Sequence, residues 1–309
     1  MSKSSKQTID SSTFRKMRVS ASFGRRFRLL DETGDAGSPQ ARTKGKSLRP
    51  VCGDVVSAAP MVGESDWLIQ AIEPRDNELS RPDLRGRREV LAANITTVAV
   101  VACQTPKADW FIVDRYLAAA LQMHCKAIVI WNKSDQAPAP ADALALKNIG
   151  YSLIETSSSD PSSIALLKKS LAHERSIFVG QSGVGKSTLI NAIAEDRLQR
   201  TGLISESSQE GKHTTVTAEM LSLADNIEVI DSPGVRDYAP SIESLAHVAE
   251  GFLEIREAAM DCKFGNCLHR AEPKCAVKAK VEAGEIEPRR YESFLRLVQL
   301  TRQLNEDRY

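Results

Sequence analysis

Two textures of apolar and polar positions divide the chain. Up to about Ile72 the apolar residues come in short runs: Val19 to Leu30, Val51-Cys52-Gly53-Asp54-Val55-Val56 and Trp67-Leu68-Ile69-Gln70-Ala71-Ile72. Gly34, Gly37, Lys44, Gly45 and Lys46 interrupt them. Short strands with glycine-marked turns and no helical period predict a small β-barrel. From Ile95 the pattern changes. Ile95-Thr96-Thr97-Val98-Ala99-Val100-Val101 is a nearly continuous apolar run, as a buried parallel strand requires. Asp109 is placed to cap a helix carrying Val113, Tyr116, Leu117, Ala120 and Leu121 at i, i+3, i+4 spacing. Ala127-Ile128-Val129-Ile130 then predicts a second buried strand, and this alternation argues for a doubly wound α/β domain. From about position 251 the pattern is mostly helical.

The polar segments fill in the plan. Residues 1–16 read as a flexible basic tail, and the stretch with Arg81, Arg85, Arg87 and Arg88 reads as a linker. The expected organisation is multidomain α/β: tail 1–16, β-barrel 17–80, α/β domain 81–250 and helical domain 251–309.

Composition leaves this plan intact: in 309 residues, 42% hydrophobic and 26% charged is ordinary for a globular protein. No apolar run reaches the ~18–20 residues of a membrane span, so no membrane association is expected. The polar start Met1-Ser2-Lys3-Ser4-Ser5-Lys6-Gln7 lacks a signal peptide's apolar stretch, and the protein is expected to be cytoplasmic.

Charge changes the picture only when it is divided. The formal total is +1, but residues 1–92 hold 17 Lys+Arg against 12 Asp+Glu, residues 93–250 hold 13 against 18, and residues 251–309 hold 11 against 10. Before position 50 the net is +8. A basic head of this kind either tracks a nucleic-acid backbone or is a solvated arm.

The chemistry begins at Ser176-Ile177-Phe178-Val179, a strand followed by Gly180-Gln181-Ser182-Gly183-Val184-Gly185-Lys186-Ser187 and by the apolar helix starting Thr188-Leu189-Ile190. This satisfies GxxxxGK[ST] in the strand–loop–helix setting the motif needs. Its glycines let backbone N–H groups curl around a β-phosphate at a helix N-terminus. Lys186 is placed for the β- and γ-phosphates, and the Ser187 hydroxyl for Mg²⁺.

Asn132-Lys133-Ser134-Asp135 stands at the end of the second predicted strand. Asp135 can accept from guanine N1–H and the 2-amino group, whereas adenine offers neither donor. Asn132 would contact the base or tie neighbouring loops together, and the Lys133 stem would cover the ring. Thr156-Ser157-Ser158 is a candidate for the small-residue loop beneath the base.

Beyond the phosphate loop lie Gly211-Lys212-His213-Thr214-Thr215 and the strand Ile227–Ile230, which ends in Asp231-Ser232-Pro233-Gly234. Asp231 can hold Mg²⁺ through water, Gly234 N–H can sense a γ-phosphate, and Thr214 or Thr215 can close over the metal. Val235 occupies the position where a water-orienting Gln often sits, so slow intrinsic hydrolysis and a completing partner are expected. His213 is either a further water-positioning group or an ordinary loop histidine.

The guanine motif precedes the phosphate loop, which reverses the usual order. The chain is therefore circularly permuted, an arrangement that a compact α/β domain tolerates. It leaves the switch region directly into residues 251–309.

There, Cys262, Cys267, His269 and Cys275 form C-x4-C-x-H-x5-C. Four N/S ligands with none spare fit a closed structural Zn²⁺ site. Cys52, Cys103 and Cys125 read as ordinary buried thiols.

NKSD, GQSGVGKST, GKHTT, DSPGVRD and CKFGNCLHRAEPKC together resemble the circularly permuted GTPase family of RsgA (YjeQ), from about Val51 to Tyr309. The resemblance implies an OB-fold for the barrel, a central GTPase domain and a C-terminal zinc domain. It also implies hydrolysis of GTP stimulated by the small ribosomal subunit, and a role in that subunit's late maturation through its rRNA. On the family pattern Asn132, Lys133, Ser134 and Asp135, the loop residues 180–188, and the four metal ligands match. The stretch after Gly234 departs from it: a histidine expected there is replaced by Ile242, with His247 later, so no catalytic histidine is carried over. The chain is expected to work as a monomer. The alternative from another class is a nucleotide-gated RNA-binding module with negligible turnover; a third, an ATP-dependent kinase, is disfavoured by NKSD.

Overall fold

A computed structural model describes residues 14–31, 37–45, 47–82, 88–201, 218–231 and 245–306. Thr214, Thr215, His213, Gly234, Val235, Arg85, Arg87 and most of the N-terminal tail lie outside the described residues.

The first five strands are β1 (Arg15–Phe23), β2 (Arg26–Leu30), β3 (Gln40–Thr43), β4 (Val55–Pro60) and β5 (Trp67–Ile72). Their order is β1-β2-β3-β5-β4, and pairing of β1 with β4 closes the ring. β3 pairs in parallel with β5 while the other pairs are antiparallel. This is the five-stranded Greek-key connectivity of an OB-type barrel. Period-two alternation places Met17, Val19, Phe27, Leu29, Val56 and Ile69 in its core. Arg15 and Lys16, expected in the tail, are already in β1 because they pair with Ala58 and Ser57 of β4.

β6 (Glu78–Pro82) and β7 (Arg88–Ala93) form an antiparallel hairpin. The linker reading is therefore corrected for Arg81 and Arg88. Arg81 stands 2.9 Å from Glu89 and Arg88 2.6 Å from Glu78, so each arginine is matched by a carboxylate on the opposite strand. Leu79 and Ala92, on the hairpin's inner face, are buried. β6 also runs across position 80, where the sequence plan divides barrel from α/β domain.

The central domain comprises β8 (Thr97–Ala102), α1 (Trp110–Gln122), β9 (Lys126–Asn132), α2 (Ala141–Ile149), β10 (Ser152–Thr156), α3 (Pro161–Leu171), β11 (Arg175–Val179), α4 (Lys186–Thr201), β12 (Ala218–Ser222) and β13 (Glu228–Asp231). Its strands run β10-β9-β8-β11-β13 in parallel, with β12 antiparallel at the end. Alternate residues of β8 enter two cores. Val98 and Val100 join Tyr116 and Leu117 of α1, and Ala99 and Val101 join Ile164, Leu167 and Ile190 from α3 and α4. A sheet covered on both faces explains why β8 is buried at every position. Asp109 caps α1, its Oδ1 accepting from Phe111 N and Ile112 N.

The last helices are α5 (Leu245–Val248), α6 (Leu253–Ala259), α7 (Ala276–Glu282) and α8 (Pro288–Glu306). Among the described residues no helix is long and apolar enough to cross a membrane. Cys52, Cys103 and Cys125 are buried free thiols, as expected.

Among the described residues, close contacts on two sides of the central domain join it to the flanking parts. On one side β1 of the barrel pairs with β12, Ala21 opposite Glu219, and Arg28 Nη1 lies 2.8 Å from Glu219 Oε1. On the other side Phe252, Ile255 and Phe294 of the C-terminal part share a core with Ala118 of α1. Gly251 lets the chain pass close to that helix, since a Cβ there would meet Ala118 Cβ at 2.6 Å. The fully buried Asp114 of α1 accepts from Arg290 Nη1 and Arg289 Nη1, each at 2.7 Å. Arg290, also fully buried, donates to Glu254 at 2.7 and 3.1 Å.

Removing one partner of such a network strands the other charges in a dry interior, at a cost of about 3–5 kcal/mol. Asp114→Ala is therefore expected to lower unfolding free energy by that amount in chemical denaturation. A loss below about 1 kcal/mol, the range of an exposed pair, would contradict the role assigned to this joint.

Candidate functional site: a phosphate loop joined to a base-recognition loop

The phosphate loop joins β11 to α4 at the C-terminal end of a central parallel strand. Crevices at such strand ends are where ligands bind in open α/β sheets. Gly180 has φ +133° and packs so tightly on Val101 O that a Cβ would collide with that carbonyl. Gly185 has φ +96°, and a Cβ there would strike Asn132 Nδ2. Both glycines are thus required by conformation and by space. Lys186, the first residue of α4, is buried to 8% exposure, and its Nζ donates to Gly180 O at 2.7 Å and Gln181 O at 2.6 Å. The ammonium is thereby held across the mouth of the loop. Val184 is buried beneath it, while Ser182, Ser187 and Thr188 are exposed on the open side.

β9 delivers the base motif to the same place. Of the two roles open to Asn132, the geometry shows the tie. Its Nδ2 donates to Val184 O at 2.8 Å and its Oδ1 accepts from Thr156 Oγ1 at 3.1 Å. One buried amide therefore links the phosphate loop, the NKSD strand and the end of β10. Thr156 is itself fully buried, and Ser134 N donates to Thr156 O at 3.0 Å, so the candidate small-residue loop does lie against the base motif. Lys133, at φ +59°, turns its Nζ back to Thr105 O at 2.7 Å and Gly183 O at 3.0 Å. Asp135 is exposed on the loop that follows.

Gln181 is a lateral brace of the phosphate loop. Its Oε1 accepts from Asp109 N at 2.8 Å, and its Nε2 donates to Lys107 O at 3.4 Å. Asp231 closes β13, one residue beyond the Ile177–Ile230 pair, which sets it beside the strand that feeds the loop. Of the residues assigned to hydrolysis, Lys186, Ser187 and Asp231 are thus brought to one end of the sheet.

The metal candidates also assemble. Cys262 Sγ lies 3.9 Å from Cys275 Sγ, and each of these sulfurs lies 3.5 Å from His269 Nδ1. All four donor atoms, Cys267 included, fall within 4.8 Å of one another. A tetrahedron with metal–S of about 2.3 Å and metal–N of about 2.0–2.1 Å has S–S edges of about 3.8 Å and S–N edges of about 3.6 Å. The cluster therefore has the dimensions to hold a tetrahedral metal ion. Burial lowers the His269 pKa, which favours the neutral imidazole that ligates. Burial, reinforced by the neighbouring Cys275 and Cys262, pushes the Cys267 thiol up to about 12. Three thiols this close cannot all ionise without a cation between them.

Glu272 and Tyr291 support the cluster, and the sequence reading passed over both. Glu272 accepts from Leu268 N at 2.9 Å, Arg270 N at 2.8 Å and Ala271 N at 3.1 Å, locking the loop on which His269 sits. The Leu268 N–H is the chief cause that lowers its pKa to about 2. Tyr291 O–H donates to His269 O at 2.6 Å. A carboxylate between two ligands, with N–H groups of a tight loop around it, was the signal available for Glu272.

A phosphate loop on a doubly wound sheet, tied to a guanine motif on a strand that precedes it in the chain, defines a circularly permuted P-loop GTPase. The chain belongs to the RsgA GTPase family, whose description matches residues 72–240. It is 36% identical over 282 residues to the small ribosomal subunit biogenesis GTPase RsgA of Saccharophagus degradans, covering 87% of this chain and 82% of that protein. To the protein of the same name from Alcanivorax borkumensis it is 35% identical, covering 94% of this chain and 84% of that one. Among solved structures it is similar to YjeQ from Thermotoga maritima, with TM-score 0.71, 26% identity, and coverage of 93% of this chain and 98% of that one. It is also similar to YloQ, described as a circularly permuted GTPase, with TM-score 0.70, 25% identity and 98% of each chain covered.

Because the Glu272 pKa is lowered in the folded protein, its stabilisation is fully present above about 4.5 and fades toward about 2 as pH falls. At pH 7 Glu272→Gln should therefore weaken metal retention by about 10-fold or more, the usual cost of losing an outer-shell partner. Release to a chelator, followed by a colorimetric indicator, measures this; unchanged release would contradict the support role.

Proposed function

We propose that this chain hydrolyses GTP to GDP and phosphate and uses the cycle to assist late maturation of the small ribosomal subunit, whose rRNA it binds. The observation that carries the reading is the Asn132 tie, which fuses a phosphate cradle and a guanine-recognition loop into one site. The relatives named as small ribosomal subunit biogenesis GTPases support the target.

In this reading backbone N–H groups of residues 180–188 hold the phosphates, and Lys186 neutralises charge on the β- and γ-oxygens. Asp135 accepts from guanine N1–H and the 2-amino group, with Lys133 covering the ring. Ser187, Thr214 or Thr215, and Asp231 would hold Mg²⁺, which when bound stabilises the charge that develops on the transferred phosphoryl group. Gly234 N–H reads the γ-phosphate. Val235 can orient no water, so the small subunit completes the site. Cys262, Cys267, His269 and Cys275 would hold one structural Zn²⁺, since a closed set of three thiolates and an imidazole suits that ion. The chain acts as a monomer in the cytoplasm, divided into a barrel that begins with β1 at Arg15, a GTPase domain up to about 250 and a zinc domain at 251–309.

GTP turnover measured with and without isolated small subunits tests this reading. Stimulation by the subunit is expected, and Lys186→Ala should abolish most of it, by about 10²-fold or more. No stimulation would overturn the proposal in favour of a nucleotide-gated binding module.

The barrel's role has its own test. Residues 1–50 include β1 to β3, so the exposed Arg25 and Arg26 are the cleaner target. Replacing both with Ala should reduce the log–log salt slope of small-subunit binding by about 1 to 2, at roughly 0.7–0.9 per phosphate contact. An unchanged slope would place the rRNA contacts elsewhere.

A further inference from the structure

Arg289 is the second residue of α8, in the C-terminal part of the chain, yet it is connected to both ends of the loop that carries Asp135, to one directly and to the other through a tryptophan stack. That loop lies between the end of β9 at Asn132 and the start of α2 at Ala141. At its near end Trp131, adjacent to Asn132 and 1% exposed, donates Nε1–H to Ala137 O at 2.9 Å, closing the loop on itself. Trp110, the first residue of α1, stacks on Trp131 with centroids 6.2 Å apart and planes 6° from parallel. The Arg289 guanidinium carbon in turn lies 5.3 Å from the Trp110 ring centroid. At the far end Arg289 Nε lies 2.9 Å from Asp142 Oδ1, in the first turn of α2. A third grip, Nη1 to Asp114 Oδ2 at 2.7 Å, fixes the guanidinium to α1.

Carboxylate pairing alone does not account for this placement. The neighbouring Arg290 takes a two-pronged fit to Glu254, with bonds of 2.7 and 3.1 Å. Arg289 does not: its buried Nε and Nη2 make no aligned hydrogen bond, although Asp142 is within reach. Its guanidinium lies instead against the face of Trp110, where a cation is attracted by the ring quadrupole. The stack carries that contact to Trp131 and so to Asn132. Recognition of guanine by the exposed Asp135 requires its loop to be held within about 0.5 Å of the productive geometry.

We propose that Arg289 is a positioning residue for guanine recognition: it clasps the two ends of the loop bearing Asp135, through the Trp110–Trp131 stack on one side and Asp142 on the other. The C-terminal part of the chain thereby contributes to base selectivity. This inference rests on the guanine reading of Asp135.

The test compares dissociation constants for GDP and inosine diphosphate, which lacks the 2-amino group, in the full metal-loaded chain. The wild-type protein should prefer GDP. Arg289→Ala should reduce the ratio of the two constants by about 3- to 10-fold, the equivalent of one lost cation–π and ion-pair grip. Arg289→Lys, which keeps the charge and loses the planar face, should fall between. Asp142→Asn alters a side chain 36% exposed, and should lower the ratio by a smaller factor even if Arg289→Ala fails to fold. A fall in the ratio supports the clasp. An unchanged ratio overturns it, including the case in which both nucleotides weaken equally, the signature of a merely structural role. A wild-type ratio near one would show that the 2-amino group is not read by Asp135, and would overturn the clasp before any variant is made.

Discussion

The amide of Asn132 donates to Val184 O at 2.8 Å and accepts from Thr156 Oγ1 at 3.1 Å, and the working end of the molecule is arranged around that pair of bonds. Val184 belongs to the phosphate loop, Asn132 to the strand of the base motif, and Thr156 to the strand beyond. A buried amide makes its full contribution only when its partners are all in place, because each unmet group costs its desolvation. The phosphate cradle and the base loop are therefore set at a fixed separation. This holds although Asn132 and Val184 are 52 positions apart, in the reverse of the usual order.

Permutation also explains how the outer parts attach. The barrel is fixed through β12, the strand that follows the Gly211–Thr215 segment, where Ala21 pairs with Glu219. The C-terminal part is fixed through α1, where Asp114 holds Arg289 and Arg290. The same helix begins at Asp109, whose N–H donates to Gln181 of the phosphate loop. A rearrangement at the nucleotide thus has a packed route to each flank, by way of a strand on one side and a helix on the other. In the proposed reading the acidic middle holds its nucleotide through local N–H groups and a lysine, and the basic head is left to face RNA.

What could be read from the sequence follows from the range of the interactions. The phosphate loop, NKSD and the four metal ligands are short runs whose residue types are dictated by local chemistry; the first two stand at the ends of β11 and β9, and the four ligand atoms lie within 4.8 Å of one another. The buried parallel strands are equally plain, since a sheet covered on both faces leaves no polar alternation. The hairpin at Arg81 and Arg88 was not visible, because the carboxylates that match those charges stand across a strand pair rather than beside them in the chain. The extension of β1 to Arg15 depends in the same way on a partner 43 positions away, Ala58. Asp114 and Arg289 are 175 positions apart, so no local pattern could announce their bond. Glu272 carries no sequence signature of its own, because its significance is in three backbone N–H groups that only the folded loop presents.

In the proposed reading one rigid site recognises both the phosphates and the guanine base. Equilibrium competition between GTP and ATP for the wild-type chain tests it most directly. Satisfied donors on guanine, set against an adenine that leaves the Asp135 carboxylate unpaired, predict that GTP binds about 10⁴-fold tighter. Equal binding of the two nucleotides, or tighter binding of ATP, would contradict the account.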